Sequence, residues 1–311
     1  MTTLEAPLVE AAHGQAEQRF AEVLQTATTL GVVPDTLVDA ADGVYLAADT
    51  VTDEGGAEAP RFVGVEFTPG ARLGAADSQH EVTFGTLSVE ANEQLSQVAV
   101  AIKPFQGDTE LAVHEYTALQ AAQQRGLDTY RPLGVVKDGE TAYLVTEYRP
   151  EIETLDNHDW TVPYADTQRY EAVVRPNLHF VANTMASMHT KGVFHGDAQP
   201  KNFAMSDTGS SVVVDLEDAA IAASSEEAAS LLARGDDLVQ FWYTATHPSG
   251  VEDANIMLQD ASYEDCMAEF EEHFLAPYIE AVQAQADAEL LTVLDLEAVR
   301  ADLAARVARM P

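Results

Sequence analysis

A chain of 311 residues, 46% of them hydrophobic, is long enough to bury a sizeable core in one two-lobed unit or in two domains. Its formal net charge of −36 sets nucleic-acid phosphates and anionic membrane surfaces against a repulsive field, which excludes both as general partners. Lysine occurs only at 103, 137, 191 and 201, whereas Asp and Glu run along the whole chain. Such a surface suits concentrated salt, as in proteins of salt-loving organisms, and an acidic protein of ordinary salt fits equally well. No run approaches the roughly 20 apolar residues of a membrane span. The opening Met1-Thr2-Thr3-Leu4-Glu5 lacks the basic-then-apolar pattern of a secretion signal, so a cytoplasmic protein is expected. Cys266, the single cysteine, has no second thiol to bridge and reads as a packing residue.

Residues 1–58 hold a helical pattern around Gln18 to Leu30 and a Gly/Glu/Ala stretch from Thr52 to Pro60 that reads as a linker. Short apolar or alternating runs then predict strands at Phe62–Phe67, Val82–Leu87 and Gln97–Lys103, followed by a helix from Thr109 to Gln124. Two further strands, Pro132–Val136 and Ala142–Glu147, flank the turn Lys137-Asp138-Gly139-Glu140. After Arg149-Pro150 long amphipathic stretches take over, at about 166–190, 226–244, 263–286 and 294–307. No internal repeat of 20 to 50 residues is visible. The pattern predicts an N-terminal extension over 1–58, a small antiparallel-sheet lobe with one helix over 59–149, and a mostly helical lobe over 150–311. An α+β pair of lobes of this kind leaves a cleft between its parts.

The chemistry-bearing text is Val193-Phe194-His195-Gly196-Asp197-Ala198-Gln199-Pro200-Lys201-Asn202-Phe203, followed by Ser211-Val212-Val213-Val214-Asp215-Leu216-Glu217-Asp218-Ala219. Phosphoryl transfer through a loose transition state needs a carboxylate beside the attacking hydroxyl and hard oxygen ligands for Mg²⁺ on the phosphates. Asp197 fits the first requirement, and Asn202 with Asp215 fits the second. His195 reads as an organiser of the loop. Each fragment alone is ordinary turn chemistry; their order and spacing after a helix ending Met188-His189-Thr190-Lys191-Gly192 set them apart.

His-Gly-Asp-x-x-x-x-Asn followed by Asp-x-Glu-Asp-Ala resembles the aminoglycoside phosphotransferase and choline kinase group of the protein-kinase-like superfamily, over roughly residues 60–245. The resemblance implies a protein-kinase-like two-lobed fold and an ATP- and Mg²⁺-dependent transfer of the γ-phosphate. Asp197 would be the catalytic base, and Asn202 and Asp215 the metal ligands. It also places a structural acid at the head of a following helix, where Gly235-Asp236-Asp237-Leu238 stands.

Val98-Ala99-Val100-Ala101-Ile102-Lys103 resembles the kinase strand whose lysine meets the α- and β-phosphates. Its expected ion-pair partner is Glu115, with Glu110 as the alternative. The backbone of Glu147 and Tyr148, after the last strand of the sheet, is placed to edge a purine. Three departures from the kinase pattern stand out. No Gly-x-Gly-x-x-Gly precedes Lys103, and the phosphate-covering turn falls to Thr68–Gly74 or to Phe84-Gly85-Thr86. Asp215-Leu216-Glu217 replaces Asp-Phe-Gly. Only 17 residues separate Asp218 from Asp236, too few to seat a peptide as protein kinases do. The expected acceptor is therefore a small-molecule hydroxyl; a protein side-chain acceptor and a non-catalytic nucleotide binder are the alternatives. His179 and His189, ten apart on one helix, read as packing or surface residues rather than metal ligands, and Trp242, between Phe241 and Tyr243, reads as an anchor of the helical core.

Overall fold

The computed structural model describes residues 36–40, 43–47, 65–72, 82–91, 94–138, 141–149, 152–155, 162, 164–206, 209–246 and 261–309. They fall into two compact units: the described residues through Thr117 with Tyr130–Arg149, and Ala118–Thr129 with the described residues from 150 onward. The helix expected near Gln18 to Leu30 lies outside the described residues.

In the first unit, β1 (Thr36–Ala40) and β2 (Gly43–Ala47) make an antiparallel pair in a stretch where the sequence announced no strands. The main sheet holds β3 (Val65–Arg72), β4 (Thr83–Ala91), β5 (Gln94–Gln106), β6 (Pro132–Asp138) and β7 (Thr141–Glu147). Its order is β3-β4-β5-β7-β6, antiparallel throughout, with β5 in the middle. β-Branched residues at Val98, Val100 and Ile102 favour that pleated central position. Of the two stretches expected to cover the phosphates, one lies within a strand and the other runs from a strand to beyond the described residues. Phe84-Gly85-Thr86 lies inside β4, where Gly85 faces Pro69 on one side and Val100 on the other. Thr68 to Arg72 belongs to β3, whose register slips between Pro69 and Arg72. A proline without an N–H followed by glycine interrupts a ladder without ending the strand. Leu73 and Gly74 lie outside the described residues. The helix α1 (Thr109–Gln124) opens where the Asp108 carboxylate accepts the Leu111 N–H at 2.9 Å.

The second unit is mostly helical. Its longest helix, α2 (Thr167–Thr190), is capped by Asp166 and buries Val174, Leu178, Val181, Met185 and Met188 along one face. Two small antiparallel sheets carry the loops of interest. One holds β8 (Ile152–Thr154), β10 (Phe203–Ser206) and β11 (Ser211–Val213), with β10 central. The other pairs β9 (Val193–Phe194) with β12 (Ala220–Ile221). The stretch expected as a single helix is two, α3 (Ser225–Arg234) and α4 (Asp236–Thr246). Gly235 separates them at φ 58°, and a Cβ there would collide with the Leu303 side chain. The helix expected over 263–286 is α5 (Tyr263–Glu269), a π turn at Phe270–Leu275, and α6 (Ala276–Gln285). Pro277 explains the widening, because it has no N–H to return to the His273 carbonyl one α-turn earlier. α7 (Ala288–Val293), capped by Asp287, was not signalled by the sequence; α8 (Leu296–Val307) was.

Phe203, Phe241, Trp242, Phe270 and Phe274 interlock at the core, with ring centroids 4.9 to 6.1 Å apart. Each such ring, moved out of water, contributes about 1.5–3 kcal/mol. The cluster fastens α4 and the π turn onto β10, the strand that follows Asn202. Trp242 is therefore a core residue, and half-buried Cys266 packs as expected. Burial, and then the neighbouring Asp265, push its thiol up, away from reactivity. Among the described residues, no helix is long and apolar enough to cross a membrane.

Candidate active site

The loop after β9 is folded tightly around two side chains of the α4 first turns. Asp237 Oδ2 accepts the His195 N–H at 2.7 Å, and its Oδ1 accepts the Gly196 N–H at 2.9 Å. Gly196 sits at φ 79°, and a Cβ there would strike the backbone of Asp218, so only glycine fits. One helical turn on, Gln240 accepts the Ala198 N–H at 3.1 Å through Oε1 and donates from Nε2 to Asp197 Oδ1 at 2.8 Å. Positions 237 and 240 share a helix face, so one element sets both ends of the loop.

Asp197 is held by side-chain amides. Its Oδ1 also accepts from Gln199 Nε2 at 2.7 Å, and its Oδ2 from Asn202 Nδ2 at 3.1 Å. Asn202, buried in a 3₁₀ turn over Pro200–Asn202, donates from the same nitrogen to the Asp197 carbonyl at 2.7 Å. The structure thus brings Asp197 and Asn202 into direct contact.

Asp215 is tied to the same loop through the backbone. The Val214 N–H donates to the Asn202 carbonyl at 3.2 Å, and His195 Nε2 donates to the Val214 carbonyl at 3.0 Å. The Asp197 N–H faces His195 Nδ1 at 3.3 Å, which fixes the ring's proton on Nε2 and makes His195 a buried strut. Asp215 itself stands at φ 62°, the sole non-glycine with positive φ among the described residues. Aspartate tolerates this region better than most residues, yet the conformation is strained, and strain of this kind gathers at functional sites. A carboxylate oxygen of Asp215 and one of Glu217 lie within 4.8 Å of each other.

Behind the loop runs a buried polar relay. His189 Nε2 lies 3.0 Å from Asp237 Oδ2, and its Nδ1 lies 2.8 Å from the Tyr278 hydroxyl. Burial alone would raise the Asp237 carboxyl. The His189 hydrogen bond and charge, then His195 and the Gly196 N–H, outweigh it and hold the group down at about 2. Burial, reinforced by Asp237, pushes Tyr278 well up, so it remains a hydroxyl. His189 is thus a core residue bonded to the loop's anchor, while His179 ten residues earlier is exposed. Arg125 ties neighbouring turns together, donating to the carbonyls of Lys191, Gly192 and Ala222 at 2.7 to 2.8 Å.

In the sheet unit, Lys103 on β5 pairs in register with Leu144, and its Nζ reaches Glu115 Oε2 on α1 at 3.0 Å. Both side chains are largely buried, at 12% and 4% exposure, and Nζ also lies 5.1 Å from the Phe105 ring centroid. Of the two expected partners, Glu115 forms this pair and Glu110 is exposed. Glu147 closes β7 with its N–H on the Arg131 carbonyl at 2.9 Å; its carboxylate meets the Arg131 N–H at 3.1 Å and Nε at 3.7 Å. Tyr148 follows, half-buried. Sequence reasoning missed Gln240 and Arg125; an amide three residues after Asp237 on the same helix face was the available signal.

The model of the family described as "phosphotransferase enzyme family" (APH) matches residues 7–270, most of the chain, and the chain belongs to that family. It is a phosphotransferase with the mixed α+β architecture of protein-kinase-like enzymes. Among solved structures, WaaP in complex with acyl carrier protein is similar at 16% identity and a TM-score of 0.41, over 76% of this chain and 87% of that one. No curated protein sequence matches this one.

Proposed function

We propose that this phosphotransferase moves the γ-phosphate of ATP, with Mg²⁺, onto a hydroxyl of a small molecule. The observation that carries the proposal is the Asp197 carboxylate, held by Gln199, Gln240 and Asn202 within the loop that also bonds the approach to Asp215. Three amides orient a carboxylate without supplying a cation to neutralise it, which suits a group that accepts the acceptor hydroxyl's proton. Asn202 has turned its amide nitrogen to Asp197, so its oxygen is the ligand atom, and Asp215 supplies a second hard oxygen. Such oxygen donors suit Mg²⁺. When bound, Mg-ATP supplies the phosphoryl group and a divalent charge to offset its oxygens. In the sheet unit, the Lys103 ammonium, oriented by Glu115, is the group to bind the phosphates. The purine would be edged by Tyr148 and the carbonyl of Glu147, because the Glu147 N–H is engaged by Arg131.

A small-molecule acceptor is favoured by what fills the chain between Asp218 and Asp236. The strand β12 and the helix α3 take up most of it, with Ala222, Ala223 and Ser224 between them and Ala219 and Gly235 at the ends. A peptide-seating segment has no room there. The test is a metabolite-pool screen with Mg²⁺ and γ-labelled ATP. Label appearing in small molecules, and absent with Asp197→Asn, supports the reading; label appearing only in protein contradicts the acceptor assignment.

A further inference from the structure

On the exposed side of α2, two histidines face each other. His179 Nε2 and His273 Nδ1, the latter from the π turn, lie 3.3 Å apart. Their ring centroids are 5.5 Å apart and their planes 23° from parallel. A centroid gap exceeding the nitrogen gap by nearly a full ring width means that the rings meet edge to edge, nitrogen toward nitrogen. Two imidazole nitrogens bound to one tetrahedral Zn²⁺ at about 2.0–2.1 Å each stand about 3.3–3.4 Å apart, so the pair, hydrogen-bonded nitrogen to nitrogen as it stands, already has the spacing a shared ion requires.

The surroundings fit the same reading. The other ring nitrogen of His273, Nε2, lies 3.9 Å from Glu269 Oε2. Glu269 is buried at 3% exposure, and Arg175 fixes it with Nη2 at 2.7 Å and Nε at 3.2 to 3.3 Å. At 3.9 Å the carboxylate is beyond direct hydrogen-bond reach, and its charge favours the His273 proton on Nε2, which leaves Nδ1 as the lone pair. Partial desolvation first, then His273 and Arg175, lower the His179 imidazole below its usual range, against the opposing pull of Glu269 and Glu280. The π turn supplies the geometry by widening the helix at His273, and π turns are frequent at functional positions.

We infer that His179 and His273 form a site for a nitrogen-preferring divalent ion of the Zn²⁺ or Cu²⁺ class, linking α2 to the π turn. Imidazole donors select this class over Mg²⁺, so the site is chemically distinct from the oxygen ligands at Asn202 and Asp215. On binding, the proton shared between the facing nitrogens moves to Nδ1 of His179, and each ring tips by about 35° to aim its lone pair at the ion. Water completes the shell on the exposed side of His179.

The full-length protein, stripped of metal and then saturated with Mg²⁺, is titrated with Zn²⁺ by calorimetry. One Zn²⁺ per chain is expected, with affinity falling at least tenfold in both His179→Ala and His273→Asn and unchanged in His114→Ala. Cu²⁺ bound to the wild type should show two nitrogen couplings by electron paramagnetic resonance. Zn²⁺ should raise the melting temperature of the wild type but not of His179→Ala, whose exposed side chain can be lost without unfolding. No binding below millimolar Zn²⁺, or binding indifferent to both substitutions, overturns the inference and leaves the pair as an N–H···N hydrogen bond. Phosphotransfer activity is not a readout, so the outcome is independent of the proposed reaction.

Discussion

At the scale of single residues, Asp237 has the most to lose. Its carboxylate collects two backbone N–H groups and His189 while buried, and its folded-state value of about 2 lies below the ordinary 3.8. A depressed carboxylate contributes stability that is complete above the unfolded value and is lost as pH falls from about 4 toward 2, on the order of 2 kcal/mol in all. Asp237→Asn is therefore expected to lower stability at neutral pH by about 2–4 kcal/mol and to flatten the loss between pH 4 and 2. Acid titrations followed by circular dichroism check both parts. Gln240→Ala should keep the fold but release Asp197 Oδ1 and Ala198, lowering kcat on the order of tenfold with KM for ATP unchanged. Steady-state kinetics on the two variants separates the anchor from the aimer. Only part of this was legible in the sequence. Asp197 and Asn202 are five residues apart in one loop, so their contact is local. The sequence offered Asp236 and Asp237 alike, and burial separates them: Asp236 is exposed and ion-paired with Arg234 and Arg306, whereas Asp237 faces the loop.

At the scale of elements, strands and long helices were readable because their periodicity is local, as α2 shows within a residue at each end. The misses have nonlocal causes. Gly235 reads as a tolerable helical residue until its left-handed backbone and its approach to Leu303 on α8 are known. The π turn depends on how Pro277 disposes of the preceding carbonyls, and β4 absorbed Gly85 because both neighbouring strands pair with it. The junction of β5 and α1 carries the sharpest expectation at this scale. Lys103→Met leaves the Glu115 carboxylate without its ammonium and should cost about 3–5 kcal/mol. Adding Glu115→Leu should recover most of that stability while activity stays lost. A double-mutant cycle run on both melting temperature and kcat/KM distinguishes this from a purely structural ion pair, for which stability and activity would recover together.

At the scale of the whole molecule, a net charge of −36 makes self-repulsion a term that salt controls. Raising salt from about 0.1 to 1 M shortens the screening length from about 10 to 3 Å, so the melting temperature is expected to rise over that range. A flat or falling profile would mean that the charges are spaced too widely to oppose folding. Against that background of 52 acidic residues, catalysis is assigned to one carboxylate by its bonding and not by its charge. The most direct measurement is single-turnover transfer of labelled phosphate by wild type and Asp197→Asn at saturating Mg-ATP, with nucleotide binding measured in parallel. The substitution is expected to slow transfer by about 10²- to 10⁴-fold and to leave nucleotide affinity within a few-fold. An Asp197→Asn protein that transfers phosphate at the wild-type rate would contradict the assignment of Asp197 as the base.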